Sequence, residues 1–259
     1  MSKTPGAAWK EAITEYSNEL KLPVIRRDLE AHVKEALQKD SSYEEFLGLL
    51  LQKECDARQE TSRYNRVRLA QFTHKKYLED LSVDDLPEDA QKKLKLLRTL
   101  EFIKEGRNVI LAGNPGTGKT HLATGLGYKA CMEGYKVWFT TVPLLINKIK
   151  ESRSAQTLRA FQNRFEKYDL VIADEMGYIS FDKEGAELLF THLSLRAGRK
   201  STIITTNLSF ERWGEIFQDP VMTAAMIDRL THKSYIVNMN GNSYRMKETK
   251  EWLQKQQLA

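Results

Sequence analysis

The sequence predicts an α/β domain built on a parallel five-stranded sheet sandwiched by helices, preceded by a small all-helical domain. Short apolar segments rich in β-branched or aromatic residues occur at 108–112, 136–141, 170–173, 202–206 and 235–237. The intervals between them are long enough for crossover helices, which is typical of parallel sheets. Upstream of about residue 70 there is no convincing strand. We therefore expect a helical domain at residues 1–70 and an α/β domain at residues 71–259.

The composition excludes several classes of protein. The chain has 259 residues, of which 41% are hydrophobic, enough for one large domain with a small appendage. No apolar run approaches the roughly 18 to 20 residues of a membrane span, and residues 1–10 lack the apolar core of a signal peptide. Two cysteines and five scattered histidines indicate neither a disulfide framework nor a zinc-type cluster. We expect a cytoplasmic protein with no membrane partner.

The charge balance leaves two interpretations open. Lys and Arg outnumber Asp and Glu by 40 to 35, which gives a net charge of +5 and a pI of about 9.0. This excess is compatible with a polyanionic partner, and equally with a well-solvated surface.

The N-terminal region shows the signals of several helices. Pro23 suits a first helical turn, and Ile25, Leu29, Val33 and Leu37 then recur every four residues, which predicts one apolar ridge.

Two further helices are predicted on either side of residue 70. Ser42 and Glu45 form a capping-box pattern, and the helical propensity continues from Gln52 to Arg68 with few apolar residues. A helix that is polar nearly all round usually bridges domains or contacts a partner. Pro87 is expected to open another helix that runs toward Phe102.

The segment Gly-Asn-Pro-Gly-Thr-Gly-Lys-Thr at residues 113–120 matches the phosphate-binding loop pattern in full. It follows a predicted strand and precedes a predicted helix at residues 121–132, so its backbone N–H groups would converge on phosphate oxygens. Lys119 would reach the β- and γ-phosphates, and the Thr120 hydroxyl would ligate Mg²⁺. The predicted nucleotide-binding residues are Gly113, Asn114, Pro115, Gly116, Thr117, Gly118, Lys119, Thr120 and His121.

The third predicted strand ends in two acids. Four apolar residues, 170–173, precede Asp174 and Glu175, which lie 55 and 56 residues after Lys119. Asp174 is predicted to hold Mg²⁺, and Glu175 to polarise the attacking water, with the two side chains pointing in opposite directions along a regular strand. Alone, such a pair is commonplace, but the phosphate-binding loop earlier in the same predicted sheet favours the catalytic interpretation.

Polar residues beyond the fourth strand complete the candidate site. Asn207 could hydrogen-bond the γ-phosphate or the lytic water, or it could merely start a turn. Arg229 could reach a neighbouring subunit's γ-phosphate as an arginine finger, or it could form a structural ion pair with Asp228 or another acid. Arg245 is a weaker candidate for a similar role.

Two basic stretches could meet a polyanion, or each could be a solvated helix face. One surrounds the end of the helical domain and the other lies between the second and third strands. The predicted DNA-binding residues taken from them are Arg66, Lys75, Lys76, Lys148, Lys150 and Arg153.

In this order and spacing, the segments GNPGTGKTHLA, VIADEMGY, STIITTNLSFERW and DRL resemble the IstB family of AAA+ ATPases. These are helper proteins of a class of bacterial transposon and are related to replicative helicase loaders. RVRLAQFTHKKYLEDL and FTTVPLLINKI extend the resemblance, which spans roughly residues 58–248. The phosphate-binding loop alone indicates only a P-loop ATPase, and SFERW after Asn207 narrows the choice.

The resemblance implies an ATP- and Mg²⁺-dependent homo-oligomer that binds duplex DNA with little sequence preference. Such helpers remodel a target site and stimulate the transposase of the same element. Lys119 and Thr120 take the Walker A positions, and Asp174 and Glu175 the Walker B positions. Asn207 falls at sensor 1 and Arg229 at the position of the trans-acting arginine.

One departure from general AAA+ architecture and three alternatives remain. Only 21 residues follow Asn238, so we expect no full helical lid, and the role of Arg245 stays open. A helicase loader acting on single-stranded DNA is the main alternative. A DNA-binding scaffold without turnover is disfavoured because both Glu175 and Asn207 are present. A small-molecule kinase is disfavoured by the acid pair and the candidate finger.

Overall fold

A computed structural model describes residues 5–178 and 180–257. The chain divides into two compact units, Met1–Asn65 and Arg66–Ala259. The predicted boundary at residue 70 stays a prediction. The helix Tyr43–Leu69 crosses the division between the two units, so the chain passes from one unit into the other without leaving helical structure.

In its described part, the first unit contains α1 (Pro5–Glu19), α2 (Pro23–Lys39) and most of α3 (Tyr43–Leu69). Pro23 opens α2, as its fixed φ and missing N–H predict. Its third residue, Ile25, donates its N–H to the carboxylate of buried Glu54 at 2.7 Å. The capping box is present: the Ser42 N–H donates to Glu45 Oε2 at 2.8 Å, and the Glu45 N–H donates to Ser42 Oγ at 3.2 Å.

The predicted helix is present as α2, and its apolar ridge is only partly buried. Ile25 is buried and Leu29 half-buried, whereas Val33 and Leu37 are 39% and 76% exposed. A step of four residues advances about 400° around a helix of 3.6 residues per turn, so a strict four-residue ridge drifts by roughly 40° at each step. After three steps it has left the buried face, and His32 takes the buried position instead.

The second unit contains the predicted parallel sheet. Its strands are β1 (Val109–Ala112), β2 (Val137–Thr141), β3 (Leu170–Met176), β4 (Ser201–Thr206) and β5 (Tyr235–Asn238). All are parallel, in the order β2-β3-β4-β1-β5. The five predicted strands are thereby confirmed, each within about three residues of its predicted bounds.

Helices cover both faces of the sheet, as predicted. They are α4 (Glu88–Leu97), α5 (Glu101–Lys104), α6 (Lys119–Met132), α7 (Val142–Ser154), α8 (Leu158–Glu166), α9 (Lys183–Arg196), α10 (Gly214–Phe217), α11 (Pro220–Thr231) and α12 (Tyr244–Gln257). Short 3-10 turns form at Val83–Asp85 and Phe210–Trp213. Among the described residues, no helix is both long and apolar enough to cross a membrane.

The helix expected from Pro87 to Phe102 is interrupted. α4 ends at Leu97, and Leu100 adopts a left-handed conformation with φ 59° before α5 begins. Leu97, Leu100 and Phe102 are all almost completely buried. A continuous helix would spread these side chains around its axis, so the break lets one short segment bury all of them.

The two core layers follow from the period-two alternation of the strands. Along β1, Val109 and Leu111 pack into one cluster, together with Leu122 and Leu126 of α6. Ile110 packs into the other cluster, which includes residues of α7, α8, α9 and α11. Burial on both faces leaves the carboxyl ends of the strands as the place where polar side chains can gather.

Buried Arg196 joins three segments at the opposite end of the sheet. It is 1% exposed, and its Nη1 donates to the Phe165 carbonyl at 2.6 Å. Its Nη2 donates to the carbonyls of Tyr168 and Ser201, both at 3.0 Å. Burial lowers the pKa of the guanidinium to about 10, so it remains charged at neutral pH.

Replacing Arg196 by Met should strongly destabilise the second unit. The change removes the three hydrogen bonds that the guanidinium donates to the carbonyls of Phe165, Tyr168 and Ser201, and we expect the free energy of unfolding to fall by about 3 kcal/mol or more. Urea unfolding followed by tryptophan fluorescence measures this loss. Arg199→Met, at an exposed position three residues later, is the control and should cost less than about 0.5 kcal/mol. Equal stability of the two variants would contradict this role of Arg196.

Candidate functional site: a nucleotide cavity at the carboxyl ends of the strands

A cavity of about 540 Å³ lies where the phosphate-binding loop leaves β1. This volume is within the range of small-molecule binding sites. Seven of the predicted nucleotide-binding residues line it: Pro115, Gly116, Thr117, Gly118, Lys119, Thr120 and His121. Glu175 and Asn207 line it from β3 and from the end of β4. The folding of the sheet therefore brings the separate sequence motifs to one place.

Two positions of the loop, Gly113 and Gly116, have no room for a side chain, because residues 239–243 pack closely against them. A Cβ on Gly113 would lie 2.2 Å from the Met239 carbonyl carbon, and a Cβ on Gly116 would lie 2.2 Å from Ser243 Oγ. Gly116 and Gly118 also have φ values of 81° and 89°, which L-residues rarely adopt. Consecutive N–H groups in such a turn, leading into the N-terminus of α6, form an anion-binding concavity.

Lys119 lies folded into the loop. It is 7% exposed, and its Nζ donates to the carbonyls of Gly113 at 2.7 Å and Asn114 at 2.6 Å. Burial lowers the pKa of the Lys119 ammonium group to about 8, with nearby Asp174 opposing this effect and Arg245 adding to it. A polyphosphate in the cavity would offer this ammonium group anionic acceptors in place of neutral carbonyls.

Asp174 lies beside the loop and is only 3% exposed. The Thr120 hydroxyl donates to its two carboxylate oxygens at 3.0 and 3.1 Å. An oxygen-rich pair of this kind fits Mg²⁺, which is usually held by one or two protein groups together with nucleotide phosphates and water. Within the described residues there is no cluster of three or more His, Cys, Asp or Glu side chains suited to a metal ion. Thr120 and Asp174 would thus hold the ion jointly with a nucleotide.

Glu175 departs from a regular strand. Its φ is 65°, and the pairing of β3 with β4 shifts between Ala173 and Met176. A regular strand would turn Asp174 and Glu175 to opposite faces, as the sequence analysis expected. Instead a β-bulge, a feature common beside active sites, leaves Asp174 on Thr120 while Glu175 lines the same cavity. Sequence reasoning missed this bulge because the apolar run ahead of it reads as an ordinary strand.

Thr205 on β4 is a site residue that sequence reasoning missed. Its hydroxyl donates to Asp174 Oδ1 at 2.5 Å and accepts from the Glu175 N–H at 3.0 Å. The available signal was its position two residues before Asn207, because residues two apart on a strand face the same side.

Asn207 is half-buried and lines the cavity directly after β4. The turn that follows is stabilised by Thr206, because the Leu208 N–H donates to Thr206 Oγ1 at 3.1 Å. The turn therefore does not depend on the Asn207 side chain, which leaves the amide available to a ligand.

The two candidate arginines occupy different environments. Arg229 on α11 is exposed and is not among the residues lining the cavity. Its guanidinium lies 4.7 Å from the centre of the Phe190 ring, and within the described part of the chain it forms no ion pair with Asp228 or another acid. Arg245 lines the cavity of its own chain and contributes to the low pKa of Lys119.

One wall of the cavity comes from residues 73–86, a segment without a strong motif. Leu78 and Phe72 pack on α6 where Gly125 and Gly127 leave room for them. His121 Nε2 lies 2.8 Å from the Tyr77 carbonyl, and since a carbonyl only accepts, this nitrogen carries the hydrogen. The two helical glycines were the sequence signal, because glycine inside a helix is costly unless something packs closely on it.

The predicted DNA-binding residues make varied contacts. Lys150 pairs with Asp182 at 2.7 Å and Arg153 with Glu184 at 3.0 Å. Lys148 lies over the Trp138 ring, and Arg66 donates a hydrogen bond to the Cys131 carbonyl. Lys75 and Lys76 line the nucleotide cavity. Their contribution to DNA binding stays a prediction.

The strand order, the phosphate-binding loop and the acid pair around one cavity define a P-loop ATPase of the AAA+ type. The family described as IstB-like ATP binding protein matches residues 15–252. The chain therefore belongs to this family.

Curated relatives agree over almost their whole length. The chain is 36% identical over 247 residues to the ATP-binding protein of insertion sequence IS5376 from Geobacillus stearothermophilus, covering 95% of this chain and 98% of that protein. It is 35% identical over 232 residues to the ATP-binding protein of IS21 from Pseudomonas aeruginosa, covering 90% and 88%.

Solved structures share the fold at lower identity. AMPPCP-bound DnaA from Aquifex aeolicus matches with a TM-score of 0.55 and 20% identity, covering 71% of this chain and 56% of that one. DnaI matches with a TM-score of 0.54 and 19% identity, and the match covers 64% of this chain and 91% of the DnaI chain. The AAA+ fold predicted from the sequence is thereby confirmed.

The low pKa of Lys119 predicts proton uptake when ATP binds. In the free protein this amine loses its proton as the pH rises through about 8. Phosphate oxygens favour the charged form and raise the pKa, so binding above pH 8 should take up a proton and weaken as the pH rises. The γ-phosphate is already ionised in this range and adds no such dependence.

Calorimetric titration with ATP at pH 8.5, in buffers of different ionisation enthalpy, measures this uptake. Lys119→Met, which has no titrating group there, is the control and should show none. An affinity that stays constant between pH 7 and 9 would contradict the role of Lys119.

Proposed function

We propose that this chain uses ATP binding and hydrolysis to control its own assembly on duplex DNA, and that it thereby assists the transposase of the same element. The observation that carries the proposal is the convergence of four residues on one cavity, Lys119, Thr120, Glu175 and Asn207, with Asp174 hydrogen-bonded to Thr120. These are the groups that phosphoryl transfer to water requires. The relatives, whose names assign them to insertion sequences, support transposition as the context.

The residues have distinct roles in hydrolysis. The loop N–H groups and the Lys119 ammonium bind the phosphates, and Thr120 and Asp174 would hold Mg²⁺. The bound ion would neutralise charge on the phosphates. Glu175, exposed in the cavity, orients the attacking water and accepts its proton, while the Asn207 amide hydrogen-bonds the water or the γ-phosphate.

Arg229 supports an ATP-bridged oligomer. A finger that acts on a neighbouring subunit has to lie outside its own cavity and free of a competing carboxylate, and Arg229 meets both conditions in the described structure. The Phe190 ring holds the guanidinium without neutralising it. Subunits joined through ATP in this way would separate again after hydrolysis.

Duplex DNA is the expected polyanion. The net charge of +5 and the predicted basic residues favour contacts with phosphates, which would make binding largely independent of sequence and steeply dependent on salt. Any preference among target sites would then come from DNA deformability. The transposase of the same element is the proposed protein partner.

The function is tested by measuring DNA binding and particle size together. Wild-type protein is titrated onto random-sequence duplex and single-stranded DNA with ATP, ADP or no nucleotide, across a salt series. We expect the protein to bind duplex DNA and to form large assemblies in the presence of ATP, but not with ADP or without nucleotide. Glu175→Gln should bind ATP, release phosphate at least about 100-fold more slowly, and keep the assembly on DNA. Glu187→Gln, an exposed acid on α9, is the matched control and should behave as wild type.

Other outcomes identify the alternatives. A preference for single-stranded DNA would indicate a helicase loader. Duplex binding without phosphate release would indicate a scaffold that does not turn over its nucleotide. Absence of DNA binding in every nucleotide state would refute the proposal.

The trans action of Arg229 is tested by mixing two inactive variants. Arg229→Ala should lower kcat by about 100-fold or more, and Lys119→Ala should abolish turnover. In a mixture, the first variant supplies intact cavities and the second supplies intact fingers. About a quarter of randomly formed interfaces then combine both, so phosphate release should recover in part. If mixing restores nothing, Arg229 does not act across a subunit interface.

A further inference from the structure

The hydroxyl of Thr205 lies between the two acids of the candidate catalytic pair. Thr205 is 2% exposed and stands on β4 opposite the bulge of β3. Pairing with β4 joins Ala173 to Ile204 and resumes at Met176 with Thr206. Asp174 and Glu175 are therefore two residues that face the single residue Thr205, as in a β-bulge.

The direction of each hydrogen bond follows from the groups involved. A threonine hydroxyl has one hydrogen and two lone pairs. The hydrogen cannot serve the Glu175 N–H, which is itself a donor, so it goes to the Asp174 carboxylate, and a lone pair of the same oxygen accepts the Glu175 N–H. Asp174 thus accepts hydrogen bonds from both Thr205 and Thr120.

The same contact accounts for the unusual backbone of Glu175. A positive φ in a residue other than glycine is held in place only by surrounding contacts, and such residues cluster at functional sites. Where the bulge shifts the register, the Glu175 N–H donates to a side chain, the Thr205 hydroxyl. This hydrogen bond holds the Glu175 backbone at its positive φ, the conformation in which the Glu175 side chain lines the cavity.

We propose that Thr205 is a positioning residue whose single hydroxyl couples the two acids. It orients the Asp174 carboxylate toward Thr120, and it holds the bulge that places Glu175 in the cavity. The inference rests on the proposed roles of Asp174 in holding Mg²⁺ and of Glu175 in activating water. Loss of the hydroxyl should therefore impair hydrolysis and the Mg²⁺-dependent part of ATP binding, while binding of ATP alone persists.

The same strand supplies a matched control. Thr202 is 1% exposed, and among the described residues its buried hydroxyl has no hydrogen-bond partner. Thr→Val keeps the shape of the side chain at both positions and removes only the hydroxyl. A general sensitivity of β4 to this substitution would appear in both variants, whereas a positioning role appears only at Thr205.

The experiment compares Thr205→Val, Thr205→Ser and Thr202→Val in the full chain. For Thr205→Val we expect kcat to fall about 10- to 100-fold, as is usual when a residue that orients a metal ligand is removed. The affinity for ATP in the presence of EDTA should change less than about twofold, and the gain in affinity on adding Mg²⁺ should be largely lost. Thr205→Ser, which retains the hydroxyl, should recover most of kcat and most of the gain in affinity on adding Mg²⁺. Thr202→Val should match the wild type.

A second measurement needs no nucleotide. Amide hydrogen exchange should show faster exchange of the Glu175 N–H in Thr205→Val by about tenfold or more, with wild-type protection at Ile203 and Ile204 of β4. Unaltered exchange at Glu175, a serine variant as impaired as the valine variant, or an equal loss in Thr202→Val would each overturn the inference.

Reference variants separate this inference from the proposed function. If Asp174→Asn and Glu175→Gln still hydrolyse ATP at the wild-type rate, the proposed roles of the two acids fail. If those variants are impaired while Thr205→Val keeps kcat within about twofold of wild type, the acids act as proposed and Thr205 does not position them.

Discussion

The hydrogen bonds that converge on the Asp174 carboxylate are the contact on which the rest of the site depends. They join the start of α6, through Thr120, to β3 and, through Thr205, to β4. Asp174 is nearly completely buried, and a buried carboxylate is stable only when its oxygens are paired. These hydrogen bonds hold the three segments in one arrangement, and a fixed arrangement of polar groups is the condition for electrostatic preorganisation.

The bulge of β3 shows how the sheet adapts to this constraint. A regular strand would place only one of two adjacent acids in the cavity. With an extra residue opposite Thr205 and a positive φ at Glu175, both acids reach the same site. Glu175, the residue with the positive φ, also donates its N–H to the Thr205 hydroxyl. The bulge at the end of β3 therefore determines where both acids of the candidate site lie.

The segment after β5 contributes more to the site than its sequence indicates. The Met239 backbone and Ser243 pack against the loop glycines, and the Tyr244 N–H donates to the Gly116 carbonyl at 2.9 Å. This docking brings Arg245 to the cavity of its own chain. The role of Arg245, which the sequence left open, stays a prediction.

The sequence by itself determined the five strands, the phosphate-binding loop and the acids that follow β3. These features depend on local rules: apolar runs mark buried strands, and a loop that wraps phosphate needs glycine, lysine and a hydroxyl at set spacings. Only the tertiary structure decided the bulge at Glu175, the contacts of Thr205, the break at Leu100 and the cavity wall at residues 73–86. Each of these depends on contacts between segments far apart in the chain, such as the 31 residues that separate Asp174 from Thr205, and local sequence patterns do not encode such distances.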